Sequence, residues 1–450
     1  MNYFSQNPVE EQAMLADIGV KDLQALLDQA IPQALQLKGE LKLPTGSSEL
    51  EIRRELGGWA RQNASADTHV SFLGAGIYDR YVPAALPRLI FRSEFYTAYT
   101  PYQPEVAQGT LMAIFEFQSM ICELTGLDVA NASLYDGGTA MAEAAMLARG
   151  VNGRDRVLVS PGIHPHYRQI VDTYGRSSGL RTETLPEKDG VTDVSRLRRE
   201  DLEQACCVII PQPNVYGLVE PLEEVFRAAE GTGALRVAVV EPISSNLLKT
   251  AADCGADLAV GEAQALGVPQ TFAGPIVGFM AAKMEWIRRL PGRISAQTVD
   301  SRGRRGFVLT LQTREQHIRR AKATSNICTN ETLLAHAATI YCSLMGRTGL
   351  LEVAEQSVQK AHYAAGQAVA VGKAKLRYPG PFVQEFVIET RARAEALVED
   401  ALGDGFLAGI PLSRWDASRT HELLVAVTEK RTKDEIDRWA AGLSRWGGKS

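Results

Sequence analysis

Three groups of residues have the types and spacing to hold a flat, anionic small molecule. Asp136-Gly137-Gly138-Thr139 opens an alanine-rich stretch, residues 141–149, with helical composition. Two glycines and a hydroxyl at a helix start leave free N–H groups aimed at one spot, and the helix dipole adds to their pull on an anion. An ordinary turn capped by Asp136 or Thr139 has the same composition. His164-Pro165-His166 follows an apolar run. Its imidazole could stack on a planar ring or simply close a loop through a hydrogen bond. Glu241 ends another apolar run. It could accept a hydrogen bond from a protonated ring nitrogen, or cap a helix expected over residues 244–252.

The elements that must position these residues are legible around them. Four short runs rich in β-branched residues, 157–160, 208–211, 237–241 and 258–261, are each followed by a loop and a helical pattern. Apolar strands separated by helices form a parallel sheet covered on both faces. The ligand crevice of such a sheet lies beyond the carboxyl ends of its strands. Those ends carry His164, Gln212-Pro213-Asn214, Glu241 and Glu262-Ala263-Gln264. From about residue 330 the pattern changes to helix over 333–345 and 351–371, strands at 382–388 and 422–428, and a last amphipathic helix at 432–443. Before residue 65, helical spacing at 14–18 and 23–30 precedes a Ser48…Glu51 capping box that leads into residues 52–59. The expected organisation is an α/β protein: a helical arm over 1–65, a large domain with a mainly parallel sheet over 66–329, and a smaller α+β domain over 330–450.

Composition narrows the function classes. A formal net charge of −5, with both signs mixed along the chain, leaves no basic footprint for nucleic acid. Residues 263–282 are uncharged and long enough to raise the question of a membrane span, but Pro269, Pro275, Gly267, Gly274 and Gly278 predict a loop and a short buried strand. The start of the chain lacks a basic and apolar leader, so a cytoplasmic, soluble protein with no membrane partner is expected. Cys122, Cys206, Cys207, Cys254, Cys328 and Cys342 form no CxxC pair, and no histidine stands at zinc spacing, which predicts reduced thiols and no metal.

Phosphate turn, stacking histidine and strand-end carboxylate occur here in the order found in fold-type I pyridoxal-phosphate enzymes. There a Schiff-base lysine follows the carboxylate by a few tens of residues. In this chain no lysine lies between Lys249 and Lys283. Lys249 falls within the helix expected after Glu241, and Lys283 lies beyond a strand-like run at 276–281. The cradle stands without its covalent anchor.

SFLGAGIY at 71–78, FYTAYTPYQPEVAQG at 95–109, FEFQSMICELTGLDVANASLYDGGTA at 115–140, GEAQALGVPQTFAGPIVG at 261–278, LTLQTREQHIRRAKATSNICT at 309–329 and LLVAVTEKRTKDEID at 423–437 carry a family resemblance. They resemble the N-terminal half of glycine dehydrogenase (decarboxylating), the P-protein of the glycine cleavage system, and the likeness covers essentially the whole chain. The resemblance implies a fold-type I transferase-like fold and a split enzyme of α2β2 form, in which a homologous beta subunit bears the lysine. Pyridoxal phosphate would then sit on that partner. Glycine would be decarboxylated there and its aminomethyl group passed to the lipoyl arm of H-protein. By the same carry-over Gly137, Gly138 and Thr139 match the phosphate turn, His164 the stacking ring and Glu241 the pyridinium carboxylate, while Gln264 stands near the lysine's place. The sequence departs from the family pattern at Glu241, where Asp is usual, and at Gly138, where Ala is usual.

Two further segments have open readings. Tyr96, Tyr99, Tyr102 and Gln103 are either core aromatics or an exposed, ordered loop reaching toward a partner's active site. Arg302, Arg304, Arg305, Arg314, Arg319 and Arg320 form either a solvated hairpin and helix face or a partner contact. Two rival functions also remain: a self-sufficient lyase or aminotransferase using Lys249 or Lys283, and a scaffold with no link to glycine.

Overall fold

The computed structural model describes residues 7–39, 41–272 and 274–448. Contacts divide the chain into two units, Met1–Asn63 and Ala64–Ser450. In the first, α1 (Pro8–Ile18) starts at an Asn7–Glu10 capping box with proline in the first turn, which extends it upstream of the apolar stretch at 14–18. Next come α2 (Leu23–Ala30), capped by Asp22, and α3 (Glu49–Ala60), which begins at the expected Ser48–Glu51 box.

The main sheet of the second unit and its helices begin with α4 (Gln108–Thr125), β1 (Val129–Ala130), α5 (Gly137–Asn152), β2 (Arg156–Val159), α6 (Pro165–Ser178) and β3 (Arg181–Thr184). It continues through β4 (Ala205–Gln212), β5 (Leu235–Val240), β6 (Leu258–Glu262) and β7 (Gly278–Ala282). These seven strands form one sheet in the order β1-β7-β6-β5-β4-β2-β3. β3, β2, β4, β5 and β6 run parallel, and β7 pairs antiparallel with β6. The four apolar runs are thus the central strands. Val208, Ile209 and Ile210 of β4 are fully buried, each contributing about 1.5–3 kcal/mol of transfer free energy. α5 packs with Ala140, Ala144, Ala145 and Ala148 fully buried, and these small side chains let it lie close against the sheet.

The helix expected over 244–252 is only a 3-10 turn, Ser244–Asn246. Ser244 and Ser245 both donate to the Glu241 carbonyl, and the Asn246 amide donates to the carbonyls of Pro242 and Ile243. Side chains thereby take the carbonyls a helix would need.

Beyond the sheet, β8 (Ile294–Val299) and β9 (Arg305–Thr310) form an antiparallel hairpin. The two helices expected at 333–345 and 351–371 are present, together α7 (Thr332–Ala370), and a kink at Gly346, whose φ is 60°, separates them. β10 (Ala374–Leu376), β11 (Glu385–Thr390), β12 (Ile410–Pro411) and β13 (Glu422–Ala426) make a four-stranded antiparallel sheet ordered β10-β11-β13-β12. α8 (Lys433–Gly442) starts at a Thr432–Glu435 capping box and seats Trp439 against Phe72, ring centroids 5.0 Å apart. Phe72, Phe386 and Trp439 anchor this second core. Among the described residues no helix is long and apolar enough to cross a membrane, and no cluster of His, Cys, Asp and Glu could hold a metal ion. All six cysteines are free thiols.

Candidate functional site

The strand ends converge on a crevice lined by His164, Tyr167, Asn214, Glu241, Glu262 and Glu385 among others.

The expected phosphate turn is present in shape. Asp136 caps α5, its carboxylate accepting from Thr139 N at 2.7 Å and Thr139 Oγ1 at 2.8 Å. The anion position above the turn, however, is already filled from within. Glu262, at the end of β6, reaches back so that its Oε2 accepts from Gly137 N at 3.0 Å, while Oε1 accepts from Val277 N at 2.9 Å and Gln264 N at 3.1 Å. Tyr167, on the first turn of α6, lies over the same spot: a Cβ on Gly137 would fall 2.3 Å from its hydroxyl, and one on Gly138 would fall 2.5 Å from Ile170 Cδ1. Burial pushes the Glu262 carboxyl up to about 8, against the downward pull of its backbone donors and with a further push from Asp136. The same burial raises the Tyr167 hydroxyl well above its ordinary range.

The other two sequence candidates are also engaged. His164 caps α6, its Nδ1 accepting from His166 N at 3.1 Å. Its ring lies edge-on to Trp415 and lines the crevice, and burial, with His166 beside it, pulls its pKa down to about 4. The Glu241 carboxylate accepts from Ile243 N, Ser244 N and Ser244 Oγ at 3.2, 2.8 and 2.6 Å. These bonds hold the Glu241 carboxylate to the turn that follows it, and the residue also lines the crevice.

Gln264 stands at the crevice edge as a clamp. It is buried, and its amide oxygen accepts from Tyr78 N at 2.9 Å while its nitrogen donates to the carbonyls of Tyr78 and Val268 at 3.1 and 2.7 Å. Tyr78 in turn donates to Glu385 Oε2 at 2.8 Å, and Ala75 N donates to Glu385 Oε1 at 2.6 Å. Residues 75–78 are thereby pinned across the crevice mouth. Gln264→Ala leaves the Tyr78 N–H and the Tyr78 and Val268 carbonyls without this partner, at about 1–3 kcal/mol per buried group. We expect a loss of about 2–4 kcal/mol in urea unfolding; an unchanged midpoint would remove Gln264 from this role.

No lysine lines the crevice among the described residues. Lys249 is exposed and pairs with Glu223 at 2.6 Å. Lys283 pairs with Asp257 at 2.6 Å, beside the Leu258–Ala282 pair that marks the far end of the β6–β7 ladder from the Glu262–Gly278 pair at the crevice. The residues that close the crevice, Tyr167 and Glu385, were not singled out from the sequence. Tyr167 stands three positions after His164, one helical turn on, and that spacing was the available signal.

Pyridoxal phosphate does not fit this arrangement. A phosphate bound by the Gly137 N–H would take the position that Glu262 Oε2 holds and would meet the Asp136 carboxylate, which already accepts from Thr139 N. Tyr99 and Tyr102, the candidate partner-site residues, are exposed together with Gln103, which excludes the core-aromatic reading for them.

The chain is similar to known proteins along its whole length. The family model of the glycine cleavage system P-protein matches residues 1–442. The probable glycine dehydrogenase (decarboxylating) subunit 1 of Carboxydothermus hydrogenoformans is 47% identical over 97% of this chain and 98% of its own length. The crystal structure of a glycine decarboxylase (P-protein) of the glycine cleavage system, in inhibitor-bound form, superposes with a TM-score of 0.91 at 41% identity, covering 98% of this chain and 99% of that one. A NifS-like protein at 12% identity and a TM-score of 0.59, covering 83% of this chain and 98% of its own, shares the fold alone. The fold is that of fold-type I pyridoxal-phosphate enzymes, and the chain belongs to the glycine cleavage system P-protein family.

Proposed function

We propose that this chain is the lysine-less member of a two-subunit, cytoplasmic glycine decarboxylase, an α2β2 assembly in which the homologous beta subunit carries both the Schiff-base lysine and pyridoxal phosphate. The observation that carries the reading is the anion cradle at Gly137, closed by this chain's own Glu262. A site that has given its phosphate position to a side chain leaves the cofactor to another polypeptide. On this reading glycine is decarboxylated in the partner's site and the aminomethyl group is transferred to lipoylated H-protein. This chain's part is to hold the partner in its active shape and to present the loop with Tyr99, Tyr102 and Gln103 to that site.

The test is a pyridoxal-phosphate titration of the purified chain with borohydride reduction and peptide mapping, followed by mixing with the beta subunit and H-protein. We expect no labelled lysine on this chain, and glycine-dependent carbon dioxide release only from the mixture. Stoichiometric label on Lys249 or Lys283 would establish a self-sufficient enzyme instead. Full activity of the beta subunit alone would reduce this chain to a bystander.

A further inference from the structure

Lys373, Arg391 and Arg445, from three separate segments of the second unit, line one cavity of about 270 Å³. Lys373 follows α7, Arg391 follows β11, and Arg445 follows α8. The β10–β11 ladder itself brings the first two together. Ala374 pairs with Thr390 in antiparallel register, which sets the flanking Lys373 and Arg391 opposite each other just past its end. Like charges at facing positions destabilise a strand pair. Among the described residues no acidic side chain lines the cavity. Of the ion pairs these three cations could make, the described residues show one, Arg445 with Asp404 at 3.5 Å. The same Asp404 oxygen also accepts from Trp446 Nε1 at 2.8 Å. The larger cleft at Arg156, Arg196 and Arg198 differs, because Glu183 and Asp201 line it and pair with Arg156 and Arg198.

Surface cations are ordinarily just solvated. Here the wall that carries them is fixed. Trp446 is buried and packs on Phe406 with ring centroids 5.5 Å apart. Gly447 N donates to Asp400 Oδ2 at 2.8 Å. The φ of Gly447 is 75°, and a Cβ there would fall 2.3 Å from Ala392 Cβ, so the segment after α8 lies directly against the residue that follows Arg391. Arg445 is thereby held beside the other two cations and is not carried on a loose tail. Three like charges held in place ahead of binding are preorganised for an anion. The nearby hydroxyls add no donor, because Thr390 donates to the carbonyls of Ala392 and His421, and Ser444 to that of Ala441. Recognition at this cavity therefore rests on charge.

We infer that this cavity binds a phosphomonoester group, held by Lys373, Arg391 and Arg445. A phosphate carries about −1.5 to −2 charges at neutral pH and three acceptor oxygens, a match for three cations that a single carboxylate does not reach. The cavity falls just short of the about 300–1,000 Å³ usual for drug-sized ligands, which suits a compact anionic group. Bound there, the anion bridges the end of the β10–β11 pair to the segment after α8. The inference is independent of the two-subunit reading, because this cavity shares no lining residue with the crevice.

The probe is inorganic phosphate, titrated into the full chain by isothermal calorimetry in about 50 mM sodium chloride. A dissociation constant of about 1 mM or tighter is expected. The double variant Lys373→Ser, Arg391→Ser changes only exposed side chains and should bind about tenfold more weakly. Its urea midpoint without phosphate should match the parent's. Arg445→Ser, which alters a different segment, should weaken binding in the same direction. Acetate in place of phosphate should bind the parent more weakly. Vesicles of phosphatidic acid in phosphatidylcholine distinguish the source of the group. Vesicle binding that the double variant loses, without binding of inorganic phosphate, assigns the site to a lipid headgroup, and binding of inorganic phosphate assigns it to a free ligand. The inference is overturned if neither probe binds, if the variants bind as the parent does, or if acetate binds as tightly as phosphate.

Discussion

Replacing Arg80 by alanine is expected to cost about 3–5 kcal/mol of stability, the usual cost of breaking a buried ion pair by removing one partner. The Arg80 side chain is only 2% exposed. Its Nη1 donates to Glu429 Oε2 at 2.8 Å and Ser357 Oγ at 3.1 Å, and its Nη2 donates to Gln384 Oε1 at 2.6 Å, with Glu241 Oε1 3.8 Å away. One side chain thereby ties the segment that crosses the crevice to α7, to the residue before β11, to the loop after β13 and to the end of β5. Glu429 also accepts from Tyr81 N at 2.6 Å, so it cannot turn to water when the guanidinium is lost.

The measurement is urea unfolding of the full chain for Arg80→Ala, Glu429→Gln and the double variant. Each single change should be severe. The double variant should be less destabilised than the sum of the two, because the Glu429 charge is removed together with the guanidinium that balanced it. Arg80→Lys keeps the charge but not the fork geometry and should fall between parent and Arg80→Ala. A cost below about 1 kcal/mol for Arg80→Ala would mean that the segment is held by Gln264 and Glu385 without it.

The fold was legible wherever burial wrote a period into the sequence. The runs around Val157, Val208, Val237 and Leu258 are central strands because a sheet covered on both faces demands apolar residues at consecutive positions. The capping box at Ser48 and the Asp136 cap were readable because caps act within three residues. The closing of the crevice was not readable. Glu262 and Gly137 are 125 residues apart, and no local rule pairs a strand-end carboxylate with a distant helix start. That no lysine lies between Lys249 and Lys283 could be read directly, but the filling of the Gly137 cradle by Glu262 could not. Arg314 was misread for the opposite reason: a run of arginines is usually solvated, and only the turn that precedes it draws this one inward. Similarly, the failure of the helix after Glu241 lay in side-chain bonds from Ser244, Ser245 and Asn246 that compete with helix formation.

The filled cradle has a consequence for pH. Glu262 has an ordinary value of 4.5 when unfolded, and burial raises it to about 8 in the folded chain. Between those values the folded state holds a proton that the unfolded state has released. Stability therefore falls as pH rises, by up to about 1.4 kcal/mol per pH unit and about 5 kcal/mol in all, and levels off above the folded value. The contribution is fully present below about 4.5 and lost as pH passes about 8. Glu385, raised to about 7, and Glu143, raised to about 7, act in the same direction, while His164 and His336, both lowered to about 4, oppose them on the acid side. The parent's curve alone does not isolate Glu262, and the comparison with Glu262→Gln does. Glutamine keeps the volume and can still accept from Val277 N and Gln264 N, but its amide faces the Gly137 N–H and forfeits that bond, which sets a constant offset of about 1–3 kcal/mol. The informative quantity is the slope of the difference. The parent should lose several kcal/mol relative to Glu262→Gln between about pH 5 and pH 8, and nothing further above about pH 9. Parallel curves across that range would mean that Glu262 ionises freely and is not sealed in the cradle. An open, charged cradle would also reopen the possibility that this crevice exchanges its carboxylate for a phosphate. A steep difference means the opposite: at neutral pH a neutral acid sits where the anion would go, and a phosphate could enter only by unpacking Tyr167 and Glu262 together.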